Sequence, residues 1–482
     1  MIDFTSAQID FSLISPEIAL LVAAFVILSI SFMKKSARFA PIIALLGIAV
    51  SIGCISSQWH NQASGFYGMV TCDNFGVSFK LLFAVIALLA VLIAQKYLEV
   101  KHINRPEYYA LLLISTMGMM VMANTTDLVV IFLGLEIMSV PLYVLAGFAR
   151  RSLESNEAGI KYFIMGAFAS AFLLMGIAFI FGASETTDLR RIVADFSFNL
   201  SQSRTLLLSG IGFILIGFGF KVGAVPFHNW VPDVYQGAPT PVTAFFSVGP
   251  KAAGFAALLR IFSYGFNEVE LLTNLFWVIA VLTMIVGNVL ALKQTNVKRL
   301  LAYSSIAHAG YIFVALTVGG SNAISAALFY LTAYTLFNVG AFAVVTLLET
   351  RSQAKPELSE LNGMAKVHPY LSAVFALFIF ALAGFPPTVG FIGKFYIFSE
   401  AVKHGFIWLT VIGVLNSFLS VYYYFKILKA TYFENTDAPF NKLHLNLSMV
   451  ILFLICALGT LGIGLFPQEI INISKEAIFA FL

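Results

Sequence analysis

A few ionisable side chains sit inside long apolar runs of this chain: Lys80, Glu136, Lys161, Lys221, Lys251, His308 and Lys394. A lysine at the centre of a membrane helix costs about 2.5–3.5 kcal/mol on insertion scales, so it is seldom kept without a role. Lys221 opens the densest group, GFGFKVGAVPFHNWVPDVYQGAPTPV from Gly217 to Val242, and Lys251 follows in the next apolar segment. For any buried lysine, desolvation favours the neutral amine and a nearby carboxylate favours the ammonium. A lysine balanced between the two can load and release a proton without metal or organic cofactor. Glu136 lies nine positions after Asp127, well inside its run. At about 1.5 Å per residue that is deep in hydrocarbon, where a carboxylate must be protonated or meet a cation. His228 and His308 fall between the candidate lysines. Each suits a proton relay, although a lone histidine is as readily a packing residue.

Lys394 stands in LAGFPPTVGFIGKFYIFSEA, where Pro386, Pro387, Gly390 and Gly393 precede it. Regular helix is not expected just upstream, and broken helices at membrane depth mark ion sites in transporters. Lys221 has the mirror arrangement, with the lysine before its proline. The two lysines are 173 positions apart, and the same offset from Glu136 reaches position 309, beside His308. That spacing suggests two five-helix units, residues 107–263 and 270–428. An odd number of helices per unit would invert one unit relative to the other. Each residue also has a plain reading. Lys80 and Lys161 lie near run ends and could snorkel to headgroups, as Arg260 and Lys403 are expected to do. Glu136, Lys221 and Lys251 could be fixed helix–helix contacts, and Asp233 caps or orients the turn after Trp230.

The elements that must position these groups are membrane helices. Apolar residues make up 60% of the 482, charged residues 11%, and mean hydropathy is +0.91. Soluble domains carry about 25% charged residues. The runs predict fourteen spans: 11–32, 39–57, 76–95, 107–123, 127–149, 157–182, 204–224, 241–263, 270–292, 299–318, 322–348, 369–403, 405–428 and 446–466. Spans seven and twelve should be broken. The expected class is an all-α, multi-pass membrane protein forming one transmembrane domain over residues 1–482. The alternating short segments of a β-barrel are absent from the sequence.

Basic residues collect after odd-numbered spans: Lys34, Lys35 and Arg38; Lys96, Lys101 and Arg105; Arg150 and Arg151; Lys293, Lys298 and Arg299; Arg351, Lys355 and Lys366; Lys429 and Lys442. By the positive-inside rule those loops face the cytoplasm and both termini face the other side. Arg190, Arg191 and Arg204 are the main exception. No basic stripe suggests nucleic acid. Cys54, Cys72 and Cys456 lie far apart without metal or disulfide spacing and read as packing residues. The first run, with basic residues after it, reads as a retained helix rather than a cleaved signal. Loops 183–203 and 349–368 read as simple connections, and the tail ending AIFAFL as interfacial.

PFHNWVPDVYQGAPTPVTAF, with Lys221 before it and Lys251 after it, resembles the antiporter-like membrane subunits of respiratory complex I, the bacterial NADH-quinone oxidoreductase. The resemblance covers nearly the whole chain. The largest such subunit adds spans and a long lateral helix, for which this chain has no room, and one sibling carries a glutamate in broken span twelve. The lysine here matches a shorter member. The resemblance implies that Glu136 and Lys221 form the coupled pair of a first half-channel. Lys251 and His308 would continue the path, and Lys394 would face the exit, with Lys161 and His228 as further candidates. Redox chemistry in other subunits would drive it by changing the Glu136–Lys221 interaction. NADH, FMN, iron–sulfur clusters and quinone would be held by those partners, with no cofactor or metal in this chain. Expected partners are the other complex I membrane subunits, especially antiporter-like ones, within the bilayer of a bacterial inner membrane. The alternative is a cation/proton antiporter subunit using the same fold; a purely structural membrane scaffold is a third reading.

Overall fold

Each apolar run becomes a helix because in hydrocarbon a backbone must satisfy its own polar groups. The computed structural model describes residues 9–33, 36–192, 204–263, 270–351, 356–434, 443 and 445–479. Lys34, Lys35, Lys355 and Lys442, residues 193–203 and the last three positions of the tail lie outside the described residues. The helices are α1 (Ser15–Ile30), α2 (Ser36–Ser57), α3 (Asn74–Val100), α4 (Pro106–Ala123), α5 (Leu128–Ala146) and α6 (Leu153–Ser184). They continue with α7 (Arg204–Val222), α8 (Trp230–Gly237), α9 (Thr240–Ser263), α10 (Glu270–Ala291), α11 (Val297–Val318) and α12 (Gly320–Arg351). The last are α13 (Pro369–Ala383), α14 (Val389–Lys403), α15 (Ile407–Tyr432), α16 (Leu447–Leu465) and α17 (Gln468–Phe479). Thirteen helices among the described residues are long and apolar enough to cross a membrane. The shorter α13 and α14 stand where span twelve was expected.

Both expected breaks are present. α7 stops one residue after Lys221, where Gly223 takes φ +74°, and the chain turns before α8. Groups freed there find protein partners: Trp230 Nε1 donates to Phe220 O at 2.9 Å and Val225 N to Thr283 Oγ1 at 3.1 Å. The second break opens at Gly384, φ +87°, and runs through Pro386 and Pro387 to α14. A side chain at Gly384 would also begin 3.0 Å from the Lys394 stem.

The helices are arranged from inside out. In their most apolar stretches α9, α11 and α12 are 94–100% buried, whereas α1, α2, α6, α10, α15 and α16 are 33–39% buried. The inner helices therefore carry the central lysine and histidine, and the outer ones present apolar surface. Glycines let two helix pairs touch backbone to backbone. A Cβ on Gly118 of α4 would fall 2.4 Å from Met138 N of α5, and one on Gly287 of α10 would fall 2.6 Å from Ala307 N of α11. Small residues at helix contacts are how membrane helices associate when apolar burial gives no preference.

Three features depart from expectation. The loop after α2 holds a small antiparallel hairpin, Ala63–Gly65 with Val70–Cys72. The tail folds into α17, whose Ala477 and Ile478 are fully buried. Lys80 and Arg260 do not snorkel: both are fully buried. Lys80 pairs with Glu17 at 2.9 Å, and Arg260 grips Asp73 at 2.7 and 2.9 Å while donating to Ala123 O at 2.6 Å. Burial is tolerated because each cation finds a carboxylate beside it in place of water and headgroup phosphate. Lys403 remains exposed, as expected, beside Glu400 at 2.7 Å.

Candidate functional site

Lys221 closes α7 with its ammonium turned toward α5. It donates to Ser139 Oγ at 2.7 Å and Tyr143 OH at 3.1 Å, and lies 5.3 Å from the Tyr143 ring centre and 5.9 Å from that of Tyr162. A cation in the last turn of a helix also suits the negative end of its dipole. Glu136 sits one turn before Ser139 on α5 and is only partly buried. Its Oε1 accepts from Ser170 Oγ of α6 at 2.5 Å. Among the described residues no ion pair joins Glu136 to Lys221. Each meets a hydroxyl instead, Ser139 on the lysine and Ser170 on the carboxylate.

Lys251 is buried in α9 and bonds to a single residue of α11: its ammonium meets the Ser305 carbonyl at 2.5 Å and the Ser305 hydroxyl. One turn further along α11, His308 is bracketed by tyrosines, Nδ1 to Tyr330 OH at 2.5 Å and Nε2 to Tyr424 OH at 3.1 Å. Tyr424 also bonds Ser304. The next turn brings Tyr311, whose ring edge packs against His308 and whose face meets Lys394 Nζ at 5.1 Å. Ser304, His308 and Tyr311 follow helical spacing, so one face of α11 links the surroundings of Lys251 to those of Lys394. Six residues separate Ser305 from Tyr311, about 9 Å of helix at 1.5 Å per residue.

Lys394 is held by the break itself. It donates to Leu382 O and Ala383 O, the last carbonyls of α13, and to Ser417 Oγ, each at 3.0 Å. Those carbonyls lack intrahelical partners because α13 ends there. A half-helix end holding a cation at membrane depth is the geometry expected of broken transporter helices.

The remaining candidates lie apart from these. Lys161 is half exposed and pairs with Glu157 at 2.6 Å and Asp233 at 3.0 Å. Asp233 also takes Arg299 at 2.8 Å, so it is the hub of a surface cluster rather than a turn cap. Burial raises its carboxyl, but the Arg299 and Lys161 bonds outweigh that and hold it below the ordinary carboxylate value. It therefore stays an anion through neutral pH. His228 lies in the first break, buried, with Nδ1 lacking a partner among the described residues, and does not touch the lysines.

Sequence reasoning missed a second set of buried charges. Glu349, near the end of α12, accepts from Thr240 Oγ1 at 2.5 Å and Tyr97 OH at 3.1 Å, and faces Lys298 Nζ at 3.4 Å. Lys298 donates to Ala238 O at 2.7 Å. Both line a cavity of about 670 Å³ that Lys101, Arg105, Arg150 and Arg151 also line. The lining comes only from loops and helix ends after odd-numbered spans, so those segments meet on one side as their shared charge suggested. Among the described residues no cluster of three or more His, Cys, Asp or Glu could hold a metal ion.

This architecture belongs to a known class of membrane subunits. The family described as NADH:quinone oxidoreductase/Mrp antiporter, TM matches residues 125–420. The chain is 44% identical to NADH-quinone oxidoreductase subunit N of Trichlorobacter lovleyi, with 98% of this chain and 97% of that one covered. It superposes on a chain of respiratory complex I from Thermus thermophilus with a TM-score of 0.81 and 32% identity, covering 95% and 98%. A chain of an archaeal membrane-bound sulfane sulfur reductase gives a TM-score of 0.87 at 25% identity, covering 96% of each. The chain thus belongs to the antiporter-like membrane subunits of respiratory complexes. Within them it is a member of the NADH-quinone oxidoreductase subunit N family, with the other membrane subunits of that complex as its partners.

Proposed function

We propose that this subunit carries protons across the membrane through Glu136 and Lys221, then Lys251 and His308, to Lys394. The observation that carries the reading is α11, where Ser305 meets Lys251, His308 follows one turn on and Tyr311 faces Lys394, so one helix joins the two buried lysines. Ser139 and Ser170 bracket the first pair and let its strength change without a fixed ion pair. Residues 107–263 and 270–428 act as two inverted half-channels, supported by a glycine-packed helix pair and one broken helix in each. Lys161 gathers protons at one surface, and His228 serves the first break.

Redox chemistry in partner subunits, which hold NADH, FMN, iron–sulfur clusters and quinone, drives the cycle by altering the Glu136–Lys221 interaction. The site is the bacterial inner membrane, with the basic cavity on the cytoplasmic side. Moving one charge against about 100 mV costs about 2.3 kcal/mol. A swing of about two pKa units supplies about 2.7 kcal/mol, so modest changes at a lysine suffice. The test is Lys221→Ala in membrane vesicles, with proton uptake and NADH oxidation followed together. Both should fall while the complex stays assembled; unchanged rates of both would show that Lys221 is structural. The Mrp part of the family description keeps cation/proton exchange as the competing reading. Pumping that depends on sodium at constant ionic strength would favour it.

A further inference from the structure

Buried hydroxyl residues are spaced along α9 between the Glu349–Lys298 pair and Lys251. Thr240, Thr243, Ser247 and Lys251 follow one another on α9 at helical spacing, so all four lie along one face. The three hydroxyl residues are fully buried. Glu349, bonded to Thr240 Oγ1, caps the outer end of the row and lines the 670 Å³ cavity. From Thr240 to Lys251 the row spans about 16 Å at 1.5 Å per residue. The neighbouring helix α12 runs a matching set alongside. Asn338 Nδ2 donates to Ser247 Oγ at 2.6 Å, and the Tyr334 ring lies 5.9 Å from Lys251 Nζ. Asn338 Oδ1 is a buried polar atom with no hydrogen-bond partner among the described residues. Buried polar atoms aimed at the same face are what a proton-conducting chain of hydroxyls and water requires.

We propose that Glu349, with Lys298, is a proton intake that feeds Lys251 directly from the cavity, along the Thr240–Thr243–Ser247 face of α9, without passage through Glu136 or Lys221. Glu349 takes a proton from cavity water, Lys298 offsets its charge, and the proton passes inward as the carboxylate is restored. The amine of Lys251 is its acceptor. The inference rests on Lys251 and Lys394 being proton carriers, as proposed above.

The test uses the assembled complex in membranes, with NADH oxidation measured under uncoupler so that weak-acid leakage has no effect. Glu349→Gln keeps the shape and removes the exchangeable proton, and should lose most of the activity. Glu349→Asp should retain it. Formate, a small weak acid that fits the cavity, should restore Glu349→Gln and have no effect on Lys394→Ala. A purely bracing role would give loss without formate rescue, and that outcome overturns the intake. Full activity in Glu349→Gln alongside loss in Lys394→Ala overturns the intake and leaves the main path standing. Full activity in Lys394→Ala overturns the path itself. Should Glu349→Gln not assemble, Ser247→Ala decides: it should slow turnover, while Thr431→Val, a buried hydroxyl on α15 rather than on α9 or α12, should not. Wild-type turnover in Ser247→Ala would end the proposal.

Discussion

The two halves of the molecule hold their lysines in different ways. Lys221 is held by the hydroxyls of Ser139 and Tyr143, and Glu136, one turn before Ser139 on α5, is partly exposed. Lys394 is held by two helix-end carbonyls and Ser417, with no carboxylate in contact among the described residues. On the proposed reading, the first arrangement is the one a neighbouring subunit would adjust, through the field at Glu136, and the second would change with the arrival of a proton or a movement of the break. In that proposal one half receives the signal and the other retains a charge until release.

The largest effect should come from the charge-retaining half. Lys394→Ala removes the cation that faces the last carbonyls of α13, the exit group of the proposed path. Proton pumping by the assembled complex should be lost and NADH oxidation should fall with it. Pumping that persists in this variant would place the exit elsewhere.

Next comes a contrast between inner and outer charges. Arg260 is fully buried on Asp73, and Arg260→Ala leaves that carboxylate uncompensated. Removing one partner of a buried pair costs about 3–5 kcal/mol, so the subunit should be depleted from membranes or melt well below wild type in detergent. A normal melting temperature would mean that the Asp73 carboxyl is neutral or finds another donor.

How far the sequence shows this arrangement depends on what surrounds each residue. Lys221, Lys251 and Lys394 stand out because a charge within an apolar run has few explanations, and Pro226 and Pro386–Pro387 announce the breaks. Glu349 and Lys298 escaped notice because charges at span ends read as loop residues; only folding turns them inward against Thr240 and Ala238. Tyr330, Tyr424 and Tyr311 were equally hidden, since a tyrosine among apolar residues looks like packing until its hydroxyl meets a histidine. Glu136 and Lys221 stand out as deep charges, but the hydroxyls that meet them do not. Spacing gives the neighbours of a side chain along its own helix and says nothing of which hydroxyl on a facing helix it meets.

The hydroxyls offer a finer comparison between the halves. Ser139→Ala leaves Lys221 with Tyr143 as its sole hydrogen-bond partner among the described residues, whereas Ser417→Ala leaves Lys394 both carbonyls. A buried donor left short of partners costs about 1–3 kcal/mol. Ser139→Ala should therefore slow coupled turnover clearly and Ser417→Ala only slightly. Equal effects would show that the helix-end carbonyls contribute little at Lys394.

The smallest effect should be at the rim. Lys161 is 42% exposed and shares Asp233 with Arg299, so its removal leaves the carboxylate one partner. Exposed ion pairs contribute about 0–1 kcal/mol, because water screens them and long side chains lose freedom in forming them. Lys161→Ala should keep the subunit assembled and melting near wild type, with a modest loss in the rate of pumping. The double variant with Arg299→Ala strips Asp233 of both cations and should cost more than the two single changes together. If Lys161→Ala alone matches the loss seen in Lys221→Ala, the rim lysine belongs to the signal-receiving half rather than to its approach, and the division between the halves must be redrawn there.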